Sequence, residues 1–175
     1  FLKFGLATGA VSMVNPFKSA SLIENSFEAK AEGPIVISTW IHGLEANRAA
    51  WGVLKQGGKA IDAVERGVQV TEVDVNNRSV GIGGRPDRDG HVTLDACIMD
   101  HEGRCGSVAF LEGIKHPISV ARAIMDKTQH VMLVGDGAKK FALDYGFETI
   151  KTPLPEVKKD WKKWKAENKD LFKKP

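Results

Sequence analysis

Cysteine is scarce in this chain: Cys97 and Cys105 are the only two in 175 residues. Two cysteines cannot build a disulfide framework, and with no cluster of His or Cys beside them metal binding is not expected. Charge of one sign is also lacking. The 25 basic residues meet 22 acidic ones, and a net charge of +3 is too small to imply a nucleic-acid partner. Nor is there a long hydrophobic run. Leu2 to Val14 is largely apolar with small residues, but about a dozen residues cannot span a bilayer as a permanent helix. What is present, 42% hydrophobic and 27% charged residues, suits one folded unit with a sizeable core.

The first 31 residues differ from the rest. After the apolar run comes a polar stretch through Ser19, Ser21, Asn25 and Glu28, ending in the small-x-small triplet Ala29-Lys30-Ala31. The opening Phe-Leu-Lys looks like the tail of a twin-arginine export motif. Residues 1–31 are therefore expected to be an export leader and the protein periplasmic; the alternatives are an ordinary leader or a disordered N-terminus. Residues 32–175 form the folded part.

That part reads as alternating strands and helices. A short strand is expected over Pro34 to Thr39. Leu44 to Leu54 has helical periodicity closed by Gly57-Gly58, and Lys59 to Thr71 forms a second helix with Ala60, Ala63, Val64, Gly67 and Val68 on one face. A hairpin follows, Val92 to Met99 returning through Gly106 to Leu111. Pro117 opens a helix to about Lys127, Val131 to Val134 is a strand, and the helix from Asp136-Gly137 ends near Gly146. The order suits a layered α/β architecture. A tight turn centred on Glu102-Gly103 would set Cys97 opposite Val108. The two sulfurs would then lie on opposite sheet faces, leaving two unpaired, partly buried thiols.

The most informative stretch is Ser79 to Asp100. Ser-Val-Gly-x-Gly-Gly-x-Pro-Asp, followed by Leu-Asp-Ala-x-Ile-Met-Asp, resembles the glycosylasparaginase family of N-terminal-nucleophile hydrolases. Ser38-Thr39-Trp40, the run from Gly57 to Glu65, Pro117 to Arg122 and His130 to Gly137 resemble further markers of that family, in the same order. The resemblance covers about residues 33 to 150, with a weaker continuation to the end. It implies a four-layer αββα sandwich, two stacked sheets between two helix layers, of which this chain would be the α half.

In that family the nucleophile is a threonine after a His-Asp pair. The precursor cuts itself at the Asp-Thr bond, and the freed α-amine becomes the general base. No Asp-Thr dipeptide exists in this chain. The nucleophile is therefore expected beyond Pro175 on a β chain from the same precursor, and the chain alone is expected to be inert. The resemblance assigns Trp40 to a wall of the substrate pocket, with an apolar face and an indole N–H donor. It assigns Ser79 to a hydrogen bond with the nucleophile. His42 stands where the family often carries an aromatic residue and is placed at the pocket rim. Asp95 reads as a structural carboxylate rather than an acid catalyst. No cofactor or metal is implied; the implied partners are the β chain, a small glycosylated asparagine and a second αβ pair in an (αβ)₂ assembly, with no nucleic acid and no membrane.

An isoaspartyl peptidase or plant-type asparaginase of the same fold is the alternative reading. The Trp40 motif and the Gly-Gly-x-Pro-Asp loop favour glycosylasparaginase. A third reading, a non-enzymatic exported protein that binds an anionic surface, starts from the tail after Pro153 and Pro155. Eight lysines there (158, 159, 162, 163, 165, 169, 173, 174) interleave with Trp161 and Trp164, which could suit an anionic surface. Four acids dilute that face, so a solvated helix laid on the body through Val157, Trp161 and Trp164 is expected instead.

Overall fold

The computed structural model describes residues 33–172. The chain divides into two compact units, Phe1–Ile35 and Val36–Pro175. The expected leader, residues 1–31, lies outside the described residues. Of the first unit, residues 33–35 are described, without regular secondary structure and exposed.

The second unit runs α1 (Gly43–Leu54), α2 (Ala60–Glu72), a 3₁₀ turn (Gly81–Gly83), β1 (Thr93–Met99), β2 (Cys105–Glu112), α3 (Pro117–Lys127), β3 (Met132–Val134), α4 (Gly135–Asp144), α5 (Pro155–Glu167) and a last 3₁₀ turn (Lys169–Phe172). Most boundaries fall within two residues of those the periodicity predicts. α1 stops where Gly57 takes φ +79° and the Gly58 N–H reaches back to the Val53 carbonyl at 3.1 Å. Pro117 takes the first turn of α3, where its missing N–H costs nothing.

The sheet has order β1-β2-β3, with β1 and β2 antiparallel and β2 and β3 parallel. One face is packed. Leu94 and Ile98 from β1 and Val108 and Leu111 from β2 are buried, as are Val120, Ala121 and Ile124 of α3 and Ala138 and Ala142 of α4. The opposite face is open among the described residues: Met99, Phe110, Met132 and Val134 are all more than half exposed. One sheet with helices on one side is an α/β arrangement.

Three expectations need correction. Residues 34–39 are not a strand: a strand exists only where a neighbour completes its ladder, and none of the described residues does so. Cys97 pairs with Ser107, not Val108, and Met99 with Cys105. The hairpin closes as a five-residue loop in which Asp100 Oδ1 accepts the N–H groups of Glu102 and Arg104 at 3.0 Å, and this shifts the register by one. Both sulfurs therefore lie on the same face. They remain free because they are diagonal rather than directly opposite, a spacing of roughly 7 Å that a disulfide does not bridge. Cys97 is exposed rather than partly buried.

The lysine-rich α5 docks much as the solvated-helix reading expects. Val157 is buried, and the Trp161 indole N–H donates to the Asp87 carbonyl at 2.9 Å. Trp164 stays about half exposed. No helix among the described residues is long and apolar enough to cross a membrane.

Candidate active site

A cleft of about 660 Å³ opens where the segment before α1, the end of α2, the glycine loop, β1 and the start of α3 meet. Trp40, His42 and Ser79 all line it, although they are spread over 40 positions of chain. Each arrives by a different local device.

Trp40 and His42 sit on a tight bend into α1, closed by the Gly43 N–H on the Trp40 carbonyl at 2.9 Å. A side chain at Gly43 would overlap Ser38, so only glycine lets the chain double back there. The bend leaves Trp40 72% exposed, its ring a wall rather than a core element. His42 occupies the N-cap position of α1 without capping it through its side chain.

Ser79 rides on the loop between α2 and the 3₁₀ turn. Gly81, at φ +70°, lies so close to the end of α2 that a Cβ would overlap the Glu72 backbone. The Asn77 carboxamide oxygen accepts the Ser79 N–H at 2.8 Å and the Val80 N–H at 3.2 Å, as in an Asx turn. The neighbouring Arg78 donates to the Val75 carbonyl and lies 3.9 Å from Asp160 of α5. The Ser79 hydroxyl makes no hydrogen bond among the described residues, so no base there activates it. No group of three or more His, Cys, Asp or Glu among the described residues is placed to hold a metal ion.

Asp95 also lines the cleft, and its carboxylate has a structural task. Between the Leu94 and Ala96 pairings the register shifts, leaving Ala109 and Phe110 together opposite Asp95. Phe110 takes φ +54° there, and its N–H donates to Asp95 Oδ1 at 2.8 Å. The carboxylate thus satisfies the amide that the bulge removes from the ladder.

One residue of the cleft went unnoticed in the sequence. Glu72, the last residue of α2, is 5% exposed. Its carboxyl accepts the Ile118 N–H at 2.8 Å, capping α3 from another helix, and lies 3.1 Å from His116 Nδ1. Burial pushes its pKa up from 4.5 to about 7; the Ile118 N–H opposes this and the nearby Glu65 adds to it. Burial likewise holds His116 below its ordinary value, with Lys115 adding to the effect. The signal was present in the spacing. Glu65, Gln69 and Glu72 recur at helical period on α2 and meet α3 through Ser119 Oγ, which donates to Glu65 at 2.7 Å and accepts from Gln69 at 2.8 Å.

Residues 37–175 match the Asparaginase_2 family, described as asparaginase. The chain belongs to the Asparaginase_2 family. Among its curated relatives, the N(4)-(β-N-acetylglucosaminyl)-L-asparaginase of Elizabethkingia miricola is 57% identical over 93% of this chain and 47% of its own length. The protein of the same name from Mus musculus is 44% identical over 73% of this chain and 38% of its own length. The chain thus spans about half the length or less of these relatives. Membership in the Asparaginase_2 family accounts for the five motifs falling in one order, and three of them border this cleft: Ser38-Thr39-Trp40, the glycine loop, and the start of α3.

Proposed function

We propose that this chain supplies the α half of a glycosylasparaginase that hydrolyses the N4-(β-N-acetylglucosaminyl)-L-asparagine linkage to aspartate and the aminosugar. The observation that carries this reading is the convergence of Trp40, His42 and Ser79 on one cleft. The relatives' names and lengths support it. The nucleophile comes from sequence beyond Pro175, a threonine freed by cleavage at a His-Asp-Thr site. Its hydroxyl attacks the side-chain amide carbonyl while its own α-amine takes the proton. The C–N bond breaks, the amine leaves with that proton, and water hydrolyses the resulting ester to aspartate.

In this reading Trp40 orients the asparagine moiety, Ser79 holds the threonine, and His42 borders the entrance. The open apolar face of the sheet receives a second sheet from the β chain, backed by its own helices, which completes the four-layer sandwich. Two αβ pairs associate, and the leader directs the protein to the periplasm. The test is turnover by the purified full-length protein. A glycosylated asparagine is expected to be hydrolysed faster than β-aspartyl dipeptides, whereas residues 32–175 alone are expected to be inert. Preference for the dipeptides would move the protein to the isoaspartyl peptidases, and turnover by residues 32–175 alone would refute the division of labour.

A further inference from the structure

Ser79 is exposed, and its side chain finds no partner among the described residues. Packing therefore does not decide where its hydroxyl points; the backbone of the loop does. That backbone has two anchors. At one end Gly81 is pressed against the end of α2, with no room for a Cβ. At the other is Asn77, one of the few buried polar residues, at 9% exposure. Only Arg78, Ser79 and Val80 lie between.

Asn77 is itself well fixed. Its N–H donates to the Asp74 carbonyl at 3.1 Å. Gly83 closes over it so tightly that a Cβ would meet the Asn77, Asp74 and Val75 carbonyl oxygens. Its one carboxamide oxygen then takes both the Ser79 and the Val80 N–H. Those contacts set the direction of the peptide planes on either side of the Ser79 Cα, and with them the direction of its Cβ. Asn77 does not line the cleft.

We propose that Asn77 is a positioning residue of this site, acting on the reaction only through the placement of the Ser79 hydroxyl. The proposal rests on the reading of Ser79 given above. It differs from an ordinary role in loop stability by what it spares. Substrate contacts, and hence KM, should stay nearly unchanged while kcat and self-cleavage fall.

The experiment uses the full-length precursor and compares Asn77→Ala, Asn77→Asp, Ser79→Ala and the Asn77→Ala/Ser79→Ala double variant. The readouts are kcat and KM for a glycosylated asparagine, the extent of self-cleavage, and Tm. Asn77→Ala is expected to lower kcat by up to about 100-fold, the scale of a small displacement in a reacting group, with KM little changed. Asn77→Asp keeps the acceptor and should recover most of the turnover. The double variant should be no slower than Ser79→Ala alone, because the two act through one hydroxyl. Wild-type kcat in Asn77→Ala beside a slow Ser79→Ala would overturn the proposal. So would multiplying losses in the double variant, or an Asp variant as slow as Ala. If Asn77→Ala does not fold, Asn77→Ser replaces it; its shorter acceptor should leave turnover below that of Asn77→Asp, and equal rates would again overturn the idea. Normal turnover in Ser79→Ala instead refutes the reading of Ser79, and this inference with it.

Discussion

Replacing Glu72 with Gln isolates the energetic consequence of placing a carboxyl in the cleft wall. Its folded pKa of about 7 lies above the ordinary 4.5, so the folded state binds the proton more tightly than the unfolded chain does. The associated stability is complete below pH 4.5 and is lost as pH rises through 7. The side chain is only 6% exposed, so solvent screens it little, and a displacement of that size corresponds to about 3 kcal/mol. Glutamine keeps the acceptor for the Ile118 N–H and offers its amide to His116, but carries no titrating proton. His116, held low, acts in the opposite sense: its share of stability is present above 6.5 and is lost as pH falls below that, through its lowered folded value, so the wild-type curve alone would blur the two. The difference between Glu72→Gln and wild type cancels every other titrating group and leaves Glu72 with its coupling to His116. It should favour the variant increasingly from pH 4.5 to 8, by about 3 kcal/mol in all, or roughly 5–10 °C in Tm. Urea unfolding of both full-length proteins across that range is the measurement. Parallel curves would show that Glu72 titrates normally and that its burial is relieved in solution.

Trp40→Ala should raise KM and lower kcat for a glycosylated asparagine while Tm moves little, because the ring makes a wall instead of filling a core. A large fall in Tm with kcat intact would contradict that placement. Gly81→Ala adds a Cβ at φ +70° that overlaps the Glu72 backbone, and a loss of at least about 2 kcal/mol is expected in chemical denaturation; a neutral variant would mean the loop does not press on α2.

Much of the fold was legible because it obeys local rules. The alanine-rich face of α2, the Pro at the start of α3 and the glycines after α1 each fix an element within its own few residues. The role of Asp95 was legible too, since a short carboxylate inside a strand needs a nearby amide. What escaped depends on partners. The segment before Trp40 has the composition of a strand but no neighbour among the described residues to pair with. The hairpin register turned on whether Asp100 would gather two amides of its own loop, and composition does not count hydrogen bonds. Glu72 falls in step with Glu65 and Gln69 on α2, but that spacing shows only a shared face; burial is what sets it apart from any other acid at the end of a helix. The cleft residues were found through the family resemblance, because exposed Trp, His and Ser side chains leave no periodic trace.

The uncovered side of the sheet also bears on synthesis. Met99, Phe110, Met132 and Val134 lie together on it, and β1 and β3 leave their outer edges unpaired among the described residues. If a later segment as long as this chain covers that side, as proposed above, that segment takes on the order of ten to thirty seconds to leave the ribosome at about 5–20 residues per second. Throughout that interval a sticky surface with two open margins is a target for chaperones and for other copies of itself. Expressed as residues 32–175 alone, the chain should therefore accumulate as aggregate; a soluble, monodisperse product in light scattering would show that this face needs no cover.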